Sequence, residues 1–357
     1  MTTVENRIDS LADSSANSPA DSPADFYERL AGAHVVPLWR VPGTDAPEPE
    51  PAEVPHVWRW RELIPLMEEA GRTIDLGSEA ERRALNGVNP ARQWGTTHTM
   101  VAGYQLVLPG EEATAHRHTP AAVRLMLAGR GHTTVEGEPV LMEPGDLVLT
   151  PGWNWHDHRN AGDEPMIWLD GLDVPFVRGL NAQFYEDYED KRMQPARVAE
   201  DDSVARYGAG IVPAGPRTGR AHSPLMKYSY ATTLESLERL RESEGDPEHG
   251  VTVEYTDPQT GGPVMPTLGC AAQLLPAGRR TRRRRHTSST VFCVTRGSGH
   301  SVIGGRRYDW DQNDFFVVPS WTWYEHVAAD GSPDVTLFAM SDRPMLEPFG
   351  LYREQLA

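Results

Sequence analysis

The sequence predicts an all-β fold, with two tandem copies of one β-barrel and additional helices. After Gly95 the chain consists of short β-rich runs cut by Gly and Pro, such as "YQLVLPG", "HTTVEGEPV" and "DLVLTPGW", which are typical of small all-β barrels. A second β-rich block spans about residues 269–341. Adding 168 to positions in the first block, as from Gln105 to Gln273, reaches matching residues in the second without a gap. This self-similarity indicates a tandem duplication.

The matching residues occur along the whole of both blocks, so they define which positions correspond. They include Gly110 and Gly278, Arg117 and Arg285, His118 and His286, His132 and His300, Asp146 and Asp314, Trp153 and Trp321, Trp155 and Trp323, and His158 and His326.

Length and composition agree with a duplicated protein. A chain of 357 residues is too long for one small core. Its net charge of −17 argues against nucleic acid as the general partner, and no apolar run is long enough to span a membrane. The start, "MTTVENRIDS", lacks the apolar stretch of a secretory signal. Cys270 and Cys293 form no C-x-x-C motif, so we expect neither a disulfide framework nor a thiolate metal site, and a cytoplasmic protein.

The pattern along the chain predicts the domain organisation. The segments are a disordered tail over 1–24, an N-terminal arm over 25–95, a first barrel with a metal site over 96–176, a helical linker over 177–268, a second barrel without metal over 269–341 and a C-terminal tail over 342–357. The tail is predicted from its Ser, Asp, Ala and Pro content. In the linker, "TTLESLERLRES" (232–243) is the clearest helix, and residues 176–192 could also be helical.

Three histidines of the first copy have the spacing of a metal site. Gly110 precedes His116-x-His118 by six residues, and Gly145 opens G-x5-P-x4-H-x3-N, which contains His156. Together these are the two-part signature of the cupin fold, a jelly-roll barrel. Residues i and i+2 of a strand point to one face, so His116 and His118 both enter the barrel, where His156 reaches them from a neighbouring strand.

The predicted site has no carboxylate ligand. The cupin motif usually supplies one three or four residues after the second histidine, where this chain has Ala121 and Ala122. The ligands are then three neutral histidines, unlike the 2-His-1-carboxylate triad of many non-haem iron enzymes. A divalent metal held this way keeps its full charge, which favours an anionic chelating substrate.

The second copy serves as an internal control for the first. His116 corresponds to Arg284 and His156 to Tyr324, so the second barrel is expected to hold no metal. Arg124 corresponds to Phe292, and the same offset pairs Asp170 with Phe338.

Residues kept in both copies are less diagnostic of chemistry. Gln105 could contact substrate or water, and His158 could act in the second coordination sphere, but either residue could also serve barrel packing alone. The run "RRTRRRRH" (279–286) is interpreted as a solvated face plus one arginine, Arg284, filling the vacated metal position, rather than as a polyanion site.

Beyond the motif, the chain resembles the gentisate 1,2-dioxygenase family of two-barrel cupins, which includes salicylate and 1-hydroxy-2-naphthoate dioxygenases. The stretches that carry the resemblance include "ERRALNGVNP", "YQLVLPGEEATAHRHTPAAVRLMLAGRG", "EPGDLVLTPGWNWHDHRN" and "WLDGLDVPFVRGLNAQFYE". The resemblance implies an Fe(II) enzyme, typically a homotetramer, that uses O₂ to split an aromatic ring between its carboxyl-bearing and hydroxyl-bearing carbons.

The resemblance also implies roles for individual residues. It makes His116, His118 and His156 the iron ligands. Around the substrate it places Arg124, Gln105, His158 and Asp170, with Arg82 or Arg83 as a further arginine.

These lines of argument predict cleavage of an ortho-hydroxy aromatic acid, first of all gentisate to maleylpyruvate. Arg124 would pair with the carboxylate, a task suited to a guanidinium. His158, oriented by Asp157 or Asp170, is the candidate acid/base. Salicylate and 1-hydroxy-2-naphthoate remain alternative substrates, and manganese an alternative metal.

Two other classes of cupin also stay open at this point. One binds a small acid without turning it over, and the other acts on a non-aromatic acid or a sugar. The aromatic residues expected near the site favour an aromatic ligand. They are Trp153, Trp155, Trp168 and Phe176.

Overall fold

The computed structural model describes residues 22–215, 219–244 and 250–357. The predicted disordered tail therefore falls almost wholly outside the described residues. Its last positions are not part of a tail, because Ser22 caps a helix that starts at Pro23. Residues up to Glu50 belong to a unit separate from Pro51–Ala357. Among the described residues, no helix is both long and apolar enough to cross a membrane.

The chain is mainly β-strand. The strands are β1 (His56–Trp58), β2 (Arg83–Asn86), β3 (Val101–Val107), β4 (Glu112–His118), β5 (Ala122–Ala128), β6 (Gly131–Val135), β7 (Glu138–Met142), β8 (Leu147–Thr150), β9 (His156–Arg159), β10 (Met166–Leu172), β11 (Tyr185–Asp187), β12 (Lys227–Tyr228), β13 (Val251–Tyr255), β14 (Gly269–Leu275), β15 (Arg284–His286), β16 (Thr290–Arg296), β17 (Gly299–Ile303), β18 (Arg306–Trp310), β19 (Phe315–Val318), β20 (Tyr324–Ala328), β21 (Val335–Ser341) and β22 (Glu354–Leu356).

The described residues also form several helices, most of them short. They are α1 (Pro23–Gly32), α2 (Trp60–Thr73), α3 (Val174–Gly179), α4 (Asp202–Tyr207), α5 (Tyr230–Glu244) and α6 (Arg343–Leu346), with 3₁₀ turns at Leu38–Arg40, Glu189–Lys191 and Glu347–Phe349. Helix α5 confirms the predicted helix, but the segment 176–192 is helical only in α3 and its 3₁₀ turn and contains strand β11.

Each barrel is formed by two antiparallel sheets. The first barrel combines the sheet β12-β8-β5-β10-β3-β2 with the sheet β11-β4-β9-β6-β7. The second combines β1-β19-β16-β21-β14-β13 with β18-β17-β20-β15-β22. Side chains alternate across each strand, so one face lines a barrel interior and the other packs outside it. The predicted all-β fold of two tandem cupin barrels is confirmed.

The arm from Pro51 onward and the linker both contribute strands to the barrels. Strand β1 pairs with β19 of the second barrel, whereas β2 pairs with β3 of the first. From the linker, β12 joins the first barrel and β13 the second. The predicted helical linker over 177–268 is thus wrong in part, because it also supplies strands to both barrels.

The duplication continues to the end of the chain. Strand β11 pairs with β4 after helix α3, and β22 pairs with β15 after helix α6. Both barrels therefore extend beyond residues 176 and 341. The expected C-terminal tail over 342–357 is wrong, because its last strand belongs to the sheet.

The structure corrects one correspondence between the copies. Arg124 pairs across the ladder with Asp170, and Phe292, its counterpart, pairs with Ala339. Asp170 therefore corresponds to Ala339 and not to Phe338, because the segment before β21 is one residue longer than that before β10. Phe338 packs in the core on the outer face of the strand.

Candidate active site

Three imidazoles converge inside the first barrel. The ladder between β4 and β9 is irregular between Ala113 and His116, and this irregularity places His116 opposite His156. The ring centroids of His116 and His156 are 4.6 Å apart, and those of His118 and His156 are 4.8 Å apart. One ligand nitrogen from each ring lies within 4.8 Å of the others. Among the described residues, this is the one group of three His, Cys, Asp or Glu side chains close enough to hold a metal ion.

In His118 and His156, the Nδ1 atom is hydrogen-bonded to a backbone carbonyl. His118 Nδ1 lies 2.7 Å from the Pro120 carbonyl, and His156 Nδ1 lies 3.0 Å from the Asn154 carbonyl. Carbonyl oxygens accept only, so each Nδ1 carries the proton and each Nε2 keeps a free lone pair. His156 Nε2 is buried and has no hydrogen-bond partner among the described residues. Such an arrangement fits a metal ion with histidine ligands.

The protonation state of these rings also fits a metal. Burial lowers the pKa of His116 to about 2 and that of His118 to about 4, with the nearby arginines adding to the effect. Burial likewise places the pKa of His156 well below its usual range. Neutral imidazole is the form that binds a metal, so no proton has to be removed near neutral pH.

The third ligand, His116, is oriented by a tyrosine. The Tyr185 hydroxyl is 3.1 Å from His116 Nδ1, and it also contacts Glu81 and lies 2.9 Å from Asp187 Oδ1. If Nε2 binds a metal, Nδ1–H donates to the tyrosine oxygen, and the hydroxyl proton goes to a carboxylate. Tyr185 reaches this place because β11 pairs with β4.

A buried ion pair lies beside the histidines. Arg124 Nε is 3.1 Å from Asp170 Oδ1, the Arg124 Nη1 group donates to Thr150 Oγ1, and both charged side chains are almost fully buried. Burial raises the pKa of Asp170, while Arg124 acts to lower it. Asp170 therefore lies where it can hold the guanidinium in place.

Arg82 and Arg83 of the arm contact different parts of the first barrel. Arg82 donates to the carbonyls of Glu81 and Thr114 at 2.8 Å, and its charge lowers the pKa of His116. Arg83 forms an ion pair with Glu111. Of the two alternatives in the sequence, Arg82 lies near the histidines, whereas Arg83 pairs with Glu111.

Gln105 and Trp168 face the barrel interior from one sheet, and His158 faces it from the other. Gln105 is buried and its Nε2 has no hydrogen-bond partner among the described residues. His158 Nδ1 is 2.8 Å from Thr133 Oγ1, and its ring packs 4.9 Å from the fully buried Trp168. Burial keeps the pKa of His158 well below its usual range. Thr133, which the sequence did not indicate, is thus the group that orients His158.

Asp157 was wrongly predicted to belong to the site. Strand alternation turns it away from its neighbours His156 and His158. Its Oδ2 accepts from the Gln194 backbone N–H at 2.8 Å and from the Gln194 side chain at 3.3 Å.

The corresponding positions of the second barrel form a hydrogen-bonded cluster. Arg284 Nε donates to the Tyr324 hydroxyl at 2.8 Å, and that hydroxyl is 3.0 Å from His286 Nε2. Arg284 and Tyr324 thus occupy the positions that correspond to His116 and His156.

Two tandem cupin barrels, one of which holds a histidine triad that could bind a metal ion, define a bicupin. The family model described as "Cupin domain" matches residues 103–172 and 272–340. Gentisate 1,2 dioxygenase 1 of Aquipseudomonas alcaligenes is 40% identical over 334 residues, covering 92% of this chain and 95% of that one. The 5-aminosalicylate 1,2-dioxygenase of a Comamonas species is 38% identical, covering 92% and 89%.

A solved structure agrees with these relatives. The salicylate 1,2-dioxygenase of Pseudoaminobacter salicylatoxidans, in a structure described as having adducts with gentisate, superposes with a TM-score of 0.87 at 35% identity, covering 96% of each chain. The chain belongs to the bicupin family of gentisate- and salicylate-type 1,2-dioxygenases, as predicted. It is a ring-cleaving dioxygenase.

Proposed function

We propose that the protein is an Fe(II)-dependent dioxygenase of ortho-hydroxy aromatic acids, with gentisate as the first candidate substrate and maleylpyruvate as its product. The observation that carries the proposal is the convergence of three neutral histidines beside a buried arginine. His116, His118 and His156 would hold the iron. When bound, Fe(II) supplies a Lewis-acidic, redox-active centre for the substrate and O₂.

The role of Arg124 follows from its charge and its support. Asp170 and Thr150 fix the guanidinium, so it is presented without loss of side-chain freedom on binding. A planar guanidinium matches a carboxylate, and we assign Arg124 to the substrate carboxyl group. Arg82 adds a second positive charge to the same region, which favours an anionic substrate.

Gln105 and His158 supply further polar contacts to the substrate, one from each sheet of the barrel. The Gln105 amide offers donors that the described residues leave unpaired, suited to a phenolic or carboxyl oxygen. His158 is neutral and buried, so it can exchange a proton with the ortho-hydroxyl group through Nε2, while Thr133 holds Nδ1.

The other substrates of the family remain candidates. The relatives named for 5-aminosalicylate and salicylate share this degree of similarity, so we include both compounds, together with 1-hydroxy-2-naphthoate, in the test. We also infer a homotetramer, to be checked by size-exclusion chromatography with light scattering.

The test is oxygen uptake after anaerobic loading with Fe(II) or Mn(II). Gentisate should consume one O₂ per molecule and give a ring-opened product that absorbs in the near ultraviolet, and 3-hydroxybenzoate, without an ortho-hydroxyl, should consume none. Faster turnover of another ortho-hydroxy acid would replace the substrate and keep the reaction. Binding without any oxygen uptake would instead indicate a non-catalytic acid-binding cupin.

A further inference from the structure

The second barrel contains a cavity where the first barrel has its metal site. Its volume is about 340 Å³, within the range of small-molecule sites. The side chains that matter here are Arg284, His286, Phe292, Tyr324, His326 and Ala339. From them we infer that the second barrel is a separate binding site for a small aromatic monocarboxylate.

The first supporting observation is that a positively charged side chain occupies a position that corresponds to a metal-ligand position of the first barrel. Arg284 stands where His116 stands in the first barrel, and Tyr324 stands where His156 stands. Arg284 Nε donates to the Tyr324 hydroxyl, which donates to His286 Nε2, and His286 Nδ1 donates to the Ser288 carbonyl at 2.8 Å. A barrel that had merely lost its metal would be expected to fill with apolar side chains. This one keeps a positive charge in an ordered polar cluster.

The second observation is an unpaired donor in the cavity wall. Trp310 Nε1–H donates to Ser301 Oγ at 2.9 Å, and Ser301 Oγ is 2.7 Å from His326 Nδ1. When the serine hydroxyl accepts from tryptophan and donates to Nδ1, His326 carries its own proton on Nε2. His326 is 2% exposed, and its Nε2 has no partner among the described residues. A buried N–H of this kind calls for an acceptor from a ligand.

The third observation concerns the shape and polarity of the wall. Phe292 replaces Arg124, and Ala339 replaces Asp170, so the buried ion pair of the first barrel becomes an aromatic face beside an open space. The Phe292 ring centroid is 4.6 Å from that of His326. An aromatic ring can pack against Phe292 while a carboxylate pairs with Arg284 and an oxygen accepts from His326.

Nearby acidic groups limit the charge of the ligand to a single negative one. Glu354 lies 3.5 Å from Arg284 Nε. Glu254 and Glu347 line the cavity, and both pair with Arg343, at 3.5 and 2.7 Å. Each of these carboxylates is more exposed than the Arg284 side chain, which is 24% exposed, so solvent screens them more than it screens Arg284.

The experiment counts binding sites for salicylate by equilibrium dialysis of the full chain. His156→Ala is used as the background because it removes the metal ligand of the first barrel. We expect one salicylate per chain to remain bound. Arg284→Gln in that background should weaken binding roughly 10- to 100-fold by loss of a charge-assisted contact. Ala339→Leu, which fills the cavity, should abolish it.

Arg280→Gln is the matched control, because Arg280 belongs to the same basic run but pairs with Glu325 on the surface. It should leave binding unchanged. Absence of salicylate binding in the His156→Ala chain would overturn the inference. Binding that survives both Arg284→Gln and Ala339→Leu would also overturn it. Circular dichroism checks folding, and Ala339→Leu decides the matter if Arg284→Gln is unfolded. The result is independent of the proposed reaction, since the assay needs neither iron nor turnover.

Discussion

Arg124 shows how one residue combines a structural and a chemical role. Its guanidinium is almost fully buried and lies 3.1 Å from the Asp170 carboxylate. Buried ion pairs are costly to break because one partner keeps its charge in a dry environment. The sequence identified Arg124 by comparing the two copies. It did not reveal that Asp170 is the partner of Arg124, since only the ladder pairing brings them together.

We therefore expect Arg124→Ala to reduce both activity and stability. Loss of a charge-assisted bidentate contact, worth on the order of 1.5–3 kcal/mol, should lower kcat/KM roughly ten- to several-hundred-fold. The unpaired Asp170 should cost about 3–5 kcal/mol of unfolding free energy. Arg124→Lys should recover stability more fully than kcat/KM. An ammonium group keeps the charge but cannot donate two parallel hydrogen bonds to one carboxylate, as a guanidinium does.

Steady-state kinetics and urea unfolding measure the two effects, and Arg130→Ala, at an exposed arginine, is the control for charge. Unchanged kcat/KM in both Arg124 variants would remove this residue from the substrate site.

Tyr185 is a residue that the sequence did not indicate as functional. It lies far along the chain from His116, in a three-residue strand with no periodic pattern. Its hydroxyl orients His116, whereas the other two ligands are oriented by backbone carbonyls. Groups that hold a metal ligand in this way contribute to affinity without touching the metal.

Tyr185→Phe should accordingly weaken metal binding about 10- to 100-fold, measured with Zn(II) in competition with a chelator. Restricting the readout to affinity separates this role from any effect on turnover. Tyr188→Phe is the matched control, because Tyr188 lies in the same segment but packs against Trp155. Equal affinity in wild type and Tyr185→Phe would contradict the assignment.

At the scale of the elements, the turn that precedes β9 is repeated in the second barrel. Trp153 and Trp321 both have positive φ, 62° and 52°, a conformation uncommon for a large side chain. In each copy the backbone N–H of the tryptophan donates to the carbonyl of the second motif histidine, His118 or His286, at 2.7 Å. This conformation therefore positions the strand carrying the third ligand, and sequence alone did not reveal it.

The same turns account for part of the basic run. Arg117 stacks over Trp153 and Trp155 in the first barrel, with its guanidinium carbon 4.4 Å from each ring centroid. Arg285 stacks over Trp321 and Trp323 at 4.3 and 4.8 Å. This agrees with the interpretation of the run as a barrel face, because cation–π stacking is present in both copies.

The sequence predicted the side-chain positions of some strands better than those of others. The ligand pair on β4 and the offset between the copies followed from side-chain alternation and self-similarity, and both were visible in the sequence. The register of β21 did not follow, because a one-residue insertion before the strand exchanges its two faces. Asp157 could have been excluded by the same alternation that placed His156 and His158 inside.

Substitutions on strands β9 and β20 test whether only the first barrel binds a metal. His156→Ala should abolish metal binding, whereas Tyr324→Phe should leave about one metal per chain, because Tyr324 lies in the barrel that lacks the triad. Metal analysis of the purified, iron-loaded proteins gives the answer. Two metals in the wild-type chain, or full content in His156→Ala, would contradict a single centre.

On the scale of the whole molecule, the two barrels share one hydrophobic cluster in addition to the apolar residues inside each barrel. The outer faces of the two large sheets contribute to a single buried cluster, with Leu125 and Leu169 from the first barrel and Val291 and Phe338 from the second. Gly171 leaves room there for the Met340 side chain, which would have to move if this position carried a Cβ. The second barrel therefore supports the first through packing, independently of any ligand.

The buried histidines of both barrels make stability depend on pH. Burial lowers the pKa of His116 to about 2, that of His118 to about 4, and those of His286 and His326 to about 3. In the unfolded chain each has a pKa of about 6.5. Below that value the unfolded chain binds protons that the folded chain does not, so falling pH favours unfolding.

Two buried carboxyl groups have the opposite effect on how stability depends on pH. Burial raises the pKa of Asp173 and of Asp342 to about 6, above the usual value of about 3.9. Between these values the folded chain holds protons that the unfolded chain has lost, so this contribution is lost as pH rises through about 6. Near pH 5 the buried histidines outnumber these two carboxyls, so the unfolding free energy of the metal-free protein should fall as the pH is lowered from 7 to 5.

Asp342→Asn isolates one carboxyl group. The amide oxygen can still accept from the Ser289 N–H, a bond of 2.8 Å to Asp342 Oδ1, but it cannot bind the proton. The net difference should therefore rise by about one proton, steepening the fall near pH 5 by about 1.4 kcal/mol per pH unit. Urea unfolding of the metal-free wild type and Asp342→Asn at pH 7, 6 and 5 measures both slopes. A stability independent of pH in the wild type, or a shallower slope in Asp342→Asn, would show that these buried groups do not govern the acid response.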